Sequence, residues 1–209
     1  MFGKVLVLAP HTDDGELGCG GTIARFIEEG SQVYYAAFSV CELSLPNGLP
    51  KNTLEIEVRE ATKELGVRPE NLFLYKYAVR TFSDNRQMIL DDLIKLREKL
   101  KPELILMPSL QDIHQDHQII ANEGVRAFKK SSILGYEMIW NNLSFNTQVF
   151  FVLQDAHVKS KVRALSHYKS QSHRDYLNEG FIRSLAMIRG VQIGEKFAEV
   201  FEAVRWINR

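Results

Sequence analysis

Apolar positions along the chain alternate between two patterns. Lys4 to Ala9, KVLVLA, is nearly continuous Val and Leu, as in a strand buried on both faces, and Leu17 to Glu29 spaces its apolar residues like an amphipathic helix. QVYYAAFS at 32–39 predicts a second strand. The polar run from Cys41 to Asn52, with two prolines and a glycine, predicts a loop over one sheet edge. LEIEVREATKEL at 54–65 predicts a helix with Thr53 as its N-cap, Glu55 and Glu57 near its positive end, and Gly66 as its stop.

NLFLYKY at 71–77 predicts a third strand, RQMILDDLIKLREKLK at 86–101 a helix, PELILMPS at 102–109 a strand, and 116–130 a helix. SSILGYEMIW and TQVFFVL read as later strands. The C-terminal part, from a helix beginning near Ala156 to the closing EKFAEVFEAVRWI, is expected to complete one layer. Strands alternating with helices of about a dozen residues predict an α/β architecture, a three-layer Rossmann-like fold with a mainly parallel sheet. At 209 residues, with no repeat and no linker, residues 1–209 are expected to form a single domain.

Composition narrows the function by exclusion. Apolar residues at 45% and charged residues at 25% describe an ordinary globular chain. Lys+Arg and Asp+Glu both number 26, so no bulk field recruits nucleic acid or anionic lipid, and neither partner is expected. The apolar start ends at Pro10 and His11, too short to span a bilayer and without a signal-cleavage pattern. The two cysteines, Cys19 and Cys41, lack structural-zinc spacing. A cytoplasmic setting is expected.

In such a fold, ligands bind at the carboxyl ends of strands. His11, Asp13 and Asp14 follow the first strand, and His114, Asp116 and His117 follow the strand ending near Ser109. Imidazoles with a carboxylate, and one position left for water, make a catalytic zinc site. In an irregular turn His11 and Asp14 can converge on one ion while Asp13 faces the attacking water. His114 and His117 stand three apart, so one can ligate while the other faces substrate. The glycines of GCGG at 18–21 lack both dinucleotide and P-loop spacing, which leaves close packing of the first helix as their role. Glu16 is then a helix-start carboxylate or a support to the ligands.

APHTDDGELGCGGTI at 9–23, together with HQDH at 114–117, resembles the zinc-dependent N-deacetylases named after PIG-L and LmbE, which remove acyl groups, usually acetyl, from amino-sugar conjugates. The resemblance extends through ATKELGV at 61–67, KVRALSHYKSQ at 161–171 and FAEVFE at 197–202. It implies Zn2+ carried by His11, Asp14 and His117, with Asp13 as general base and His114 stabilising the charged tetrahedral intermediate; other divalent metals fit similar donors. Asp116 joins Glu16 as an expected support. Thr12 stands where the family usually has proline, and Leu54 where many members carry a substrate-contacting arginine.

Substrate contacts are expected from Arg80 or Arg86, which suit an anionic substituent. Trp140, beside Asn141 and Asn142, suits a sugar ring, and Gln171 and His173 come from SHYKSQSHRDY. The expected substrate is a small N-acylated amino-sugar conjugate, a nucleotide sugar among the options, and a homo-oligomer is allowed. Two competing functions remain. One is a metal-dependent phosphoesterase using Asp13, Asp14 and Asp116; the other is a noncatalytic sugar-binding protein of the same fold.

Overall fold

Val5 to Ala9 are fully buried in the computed structural model, which describes residues 2–46 and 48–208. Asn47, in the loop expected at 41–52, lies outside the described residues. The strands are β1 (Lys4–Ala9), β2 (Gln32–Ala37), β3 (Leu72–Leu74), β4 (Leu104–Pro108), β5 (Ser132–Tyr136), β6 (Val149–Val152) and β7 (Ala198–Arg205). They form one sheet in the order β3-β2-β1-β4-β5-β7-β6. The first five are parallel, with Val7 beside Tyr35 of β2 and Leu106 of β4.

Continuous apolar strands need cover on both faces, and the helices supply it. Val5, Val7 and Ala9 pack with Ile23 and Phe26 of α1 (Asp14–Glu28), Leu54 and Val58 of α2 (Thr53–Glu64), and Ala164 of α5 (Asp155–Ser166). Leu6 and Leu8 pack on the other face with Ile89 and Leu93 of α3 (Arg86–Leu100) and Ile120 of α4 (Gln115–Ala127). Ile182 joins α6 (Glu179–Val191) to the first layer. No helix among the described residues is long and apolar enough to cross a membrane.

Several boundaries differ from the sequence expectation, each for a local reason. The first helix begins at Asp14 rather than Leu17, because the Asp13 carbonyl already accepts the Leu17 N–H at 3.0 Å. Thr53 is the first helical residue rather than the cap: its hydroxyl donates to the Pro50 carbonyl at 2.7 Å. Gly66, at φ +92°, closes that helix, and the Val67 N–H reaches back to Thr62 O at 3.0 Å in a Schellman turn. β3 ends at Leu74, after which Tyr75 and Tyr77 stack beside Phe38.

The C-terminal part does more than complete a helical layer. It inserts β7 between β5 and β6, antiparallel to both. One crossover helix carries the chain from the end a strand leaves to the opposite end of the sheet, so the next strand is parallel; α5 and α6 in succession bring it back to the end where β6 finishes, with Ala198 beside Val152, so β7 runs antiparallel.

Helix α1 lies unusually close to the sheet, and this is what the glycines allow. A β-carbon on Gly15 would sit 2.6 Å from the Tyr35 ring, and one on Gly18 would overlap the ring of buried Tyr136, whose hydroxyl is tied to Leu8 O at 3.0 Å. The helix also bends at Cys19, where φ −148° and ψ 23° leave the helical region. Glu199 of β7 caps the second half by accepting the Gly21 and Thr22 N–H groups at 3.0 and 2.7 Å. Lys161 of α5 bridges Leu17 O and Glu199 at 2.7 Å each.

Because Tyr136 cannot yield, Gly18→Ala is expected to destabilise the fold by about 1–3 kcal/mol. Gly20→Ala, which meets the flexible Lys161 stem at 3.0 Å, is expected to be milder. Denaturant midpoints of the two variants check the order; equal midpoints would contradict the close-packing account.

Candidate functional site

Between β1 and β4 the strand order reverses, since the chain leaves β1 toward β2 on one side and reaches β4 on the other. Such a switch point opens a crevice past the strand ends. The turn after β1 brings His11, Asp13 and Asp14 into a cleft of ≈ 990 Å³, and the segment after β4 brings His114, Asp116 and His117 to the same cleft.

The imidazoles are oriented from outside. His117 Nδ1 lies 2.7 Å from Asp112 Oδ2, and His11 Nε2 lies 3.1 Å from Asp116 Oδ2. Each carboxylate fixes the proton on the ring nitrogen facing it, so the opposite nitrogens, His117 Nε2 and His11 Nδ1, present lone pairs inward. Those two nitrogens stand 3.3 Å apart, and Asp14 Oδ2 lies 3.1 and 3.0 Å from them. Three acceptors facing one another require positive charge between them. Ligands at ~2.0–2.1 Å from a tetrahedral zinc lie about 3.3 Å apart, the spacing of this triangle. One ring nitrogen each from His11, His114 and His117 also falls within 4.8 Å of the others, so the histidine cluster is suited to a divalent cation.

Protonation in the metal-free protein follows the same logic. Burial disfavours the charged His11 imidazole, but Asp14 and Asp116 outweigh it and raise the ring to about 9. Burial opposes His117 likewise, and Asp14 and Asp112 raise it to about 10. Asp14 resists burial through His117 and His11, which hold its carboxyl well below the usual range. Two protons on the imidazoles carry the charge of one divalent cation.

His114 is different. It begins α4 as its N-cap, with Nδ1 accepting the Asp116 N–H at 3.2 Å, which leaves the ring proton on Nε2. Burial and the neighbouring imidazoles His117 and His11 lower its pKa, so it stands as a neutral donor. The Asp13 side chain makes no hydrogen bond to another described residue and lines the cleft; burial and then Asp14 push its carboxyl up to about 6.

Glu16 lies beneath the turn, fully buried and not in the cleft lining. It accepts from the Tyr168 hydroxyl at 2.8 Å and from that of Tyr35, and both hydroxyls also lie within 3.1 Å of Thr12 O. Burial pushes its carboxyl up to about 8. The Thr12 carbonyl is thus anchored from below, in a turn where proline is absent.

Among the expected substrate contacts, Arg80, Trp140 and Gln171 line the cleft; Trp140 stacks on Tyr176 at 4.2 Å and 11°. His173 is exposed and outside the lining, and Arg174 takes the place instead. The cause is the turn: the Arg174 N–H bonds Gln171 O at 2.9 Å, which puts residues three apart on one side and His173 on the other. Arg86 is engaged by Glu123. Sequence reasoning missed Asp112, although an acid five positions before His117 at a strand end was a usable signal. It also missed Arg174, one exposed arginine in a polar run, and Tyr35 and Tyr168, which read as core.

The comparisons with known proteins accord with this geometry. The family model described as "PIG-L: GlcNAc-PI de-N-acetylase" matches residues 6–128. The chain is 29% identical to the "Uncharacterized deacetylase YaiS" of Escherichia coli over 171 residues, 79% of this chain and 90% of that protein. It is 25% identical over 225 residues to the diacetylchitobiose deacetylase of Thermococcus kodakarensis, covering 94% and 81%. Among solved structures, the conserved protein TT1542 of Thermus thermophilus superposes with a TM-score of 0.84 at 25% identity, covering 100% of this chain and 97% of that one.

With His11 at about 9 and His117 at about 10, both rings are charged at pH 7 and an incoming cation must displace their protons. Zinc titration of metal-free protein in buffers of different ionisation enthalpy is expected to show about two protons released per ion, with affinity falling as pH falls. Release near zero would refute the charged state of His11 and His117 in the metal-free protein.

Proposed function

The chain belongs to the PIG-L (GlcNAc-PI de-N-acetylase) family, and on that premise we propose that it is a zinc-dependent hydrolase removing an acetyl or similar acyl group from the amine of an amino-sugar conjugate. The family match, the fold and a histidine cluster suited to a divalent metal support this reading. The observation that carries it is the inward triangle of His11 Nδ1, Asp14 Oδ2 and His117 Nε2 with Asp13 unpartnered beside it.

In this reading His11, Asp14 and His117 hold the cation. A divalent metal there supplies a Lewis acid that polarises the amide carbonyl and acidifies water. Asp13 takes a proton from the attacking water as its oxygen bonds to the carbonyl carbon. Asp13 lines the cleft with no other described residue hydrogen-bonded to its side chain, which leaves the carboxylate available as a base. As the C–N bond breaks, Asp13 passes the proton to the nitrogen, which leaves as an amine rather than an amide anion. His114 Nε2–H donates to the carbonyl oxygen as it gains charge; the proton position makes it a neutral hydrogen-bond donor, not a cation. The products are a carboxylate and the free amine.

Asp112 and Asp116 serve as orienting groups. Through them the imidazoles keep the tautomers that ligation needs. This weakens the phosphoesterase alternative: with Asp116 turned to His11 and to the Arg80 N–H, the inward donors are two nitrogens and one carboxylate, a zinc set rather than an oxygen set. Gln171 and Trp140 complete the sugar side of the cleft, the indole offering the face not covered by Tyr176. His173, turned outward, has no part in this reading.

Amine release from a panel of N-acetylated amino sugars, with and without added zinc, tests the proposal. Asp13→Asn is expected to lower turnover by about 10²–10⁴-fold while zinc still binds. Zinc-dependent phosphate-ester cleavage without amide cleavage would sink it, and zinc binding with no acyl release from any amide would favour the noncatalytic protein.

A further inference from the structure

We propose that the substrate carries an oxyanion, a carboxylate or a phosphate, besides its acylated amine, and that Arg80 and Arg174 bind that group at the mouth of the cleft. The inference rests on the deacetylase reading and adds the substrate's charge to it.

The first observation is how arginines are used elsewhere in the chain. Eight of the described arginines set their guanidinium on a carboxylate. The two that line the cleft do not, although Asp13, Asp14 and Asp116 line the same cleft. The Arg80 guanidinium has no hydrogen bond or ion pair among the described residues. Arg174 donates Nε to Gln171 Oε1 at 2.9 Å and is hydrogen-bonded to the Tyr176 side chain, but it has no carboxylate partner among the described residues. Neither guanidinium is ion-paired with a carboxylate, which leaves both charges for an oxyanion such as a carboxylate or phosphate.

The second observation is that the Arg80 backbone and the Arg174 side chain are held in place. Arg80 has φ +66°, in the left-handed region that a β-carbon resists. Two groups from the first turn of α4 impose it: Asp116 Oδ2 accepts the Arg80 N–H at 2.7 Å, and Gln115 Nε2 donates to Arg80 O at 3.0 Å. Asp116 is also the carboxylate that orients His11. One carboxylate therefore ties the arginine backbone to the ligand imidazole. Strain that the surroundings over-determine is a mark of positioned function, and a glycine or asparagine would meet the turn's need with less of it. Arg174 is braced by buried Gln171 and by Tyr176, itself stacked on Trp140.

The third observation concerns balance of charge. The floor of the cleft is dense in carboxylates, which repel an anion. A substrate anion is then excluded from the floor and accepted at the mouth, so the two guanidiniums orient the molecule with its amide toward His114 and Asp13.

The test compares zinc-loaded protein on N-acetylglucosamine, its 1-phosphate and 6-phosphate, a nucleoside-diphosphate N-acetylamino sugar, and an N-acetylated uronic acid. At least one charged congener is expected to exceed the neutral sugar in kcat/KM, and the phosphate and carboxylate arms separate the two anion types. In Arg80→Gln and Arg174→Gln the charged-to-neutral preference is expected to fall about tenfold or more, with KM carrying the change. Arg68→Gln, an exposed site away from the cleft, is the control. Calorimetric binding of glucosamine 6-phosphate, galacturonic acid and glucosamine to the same proteins supplies a readout independent of turnover. If no amide is hydrolysed but the charged ligands still bind more tightly in an arginine-dependent way, the anion site stands and the deacetylase reading fails. Neutral and charged ligands bound and hydrolysed alike, or arginine variants that weaken both equally, would overturn the anion site.

Discussion

The two imidazoles that face Asp14, His11 and His117, are each gripped by a carboxylate on the far side, and the geometry of the cleft depends on that grip. Without Asp112 and Asp116, His117 and His11 would be free to turn a proton inward and satisfy Asp14 directly. With those acids in place, the inner nitrogens point at each other and at Asp14 across 3.0–3.3 Å, and only protons or a cation can stabilise the gap. Burial makes the demand sharper, because facing acceptors that water cannot solvate are costly. The metal-free cluster meets it with raised imidazoles, and a divalent cation would supply the same charge.

That grip needs a rigid frame. His11 and Asp14 sit on a turn only a few residues long, between a strand buried on both faces and a helix pressed against the sheet. Gly15 and Gly18 allow the helix to approach, and Tyr35, Tyr168 and Glu16 hold the Thr12 carbonyl from beneath. Where the helix bends at Cys19, Glu199 and Lys161 take up the exposed amides and the Leu17 carbonyl. Residues far apart in sequence thus fix the position of Asp13 and Asp14, which a short polar turn alone would leave loose.

Much of this was legible in the sequence, for reasons specific to each part. Continuous Val/Leu runs and helical spacing locate the core strands and helices because burial on two faces leaves no other composition. His11, Asp13, Asp14, His114, Asp116 and His117 were visible because reactive side chains directly after apolar strands stand out, and the structure brings all six to one cleft. What was hidden depends on three-dimensional pairing. Nothing local distinguishes Tyr35 and Tyr168 from ordinary core tyrosines, or Glu199 from an ordinary strand acid. The side that residue 173 or 174 presents is settled by a turn whose hydrogen bond no periodicity reveals. The insertion of β7 between β5 and β6 likewise depends on the pairing of distant segments.

The division of the chain between reaction and recognition follows from the same geometry. The family match covers residues 6–128, and within it lie the proposed cation donors His11, Asp14 and His117, together with Asp13, His114 and the two acids that orient the imidazoles. Trp140, Asn141, Gln171, Arg174 and Tyr176 lie beyond it and form much of the cleft's remaining wall. The demands on the two sets differ. Donors must hold one spacing to a few tenths of an ångström, which only the central strands and their adjoining turns provide. A wall that chooses among sugars needs only a few well-placed groups, and turns or short 3-10 segments can exchange those without disturbing the donors. Family membership therefore informs the reaction at the floor, while the substrate has to be read from this chain's own wall, where two guanidiniums stand without a carboxylate partner.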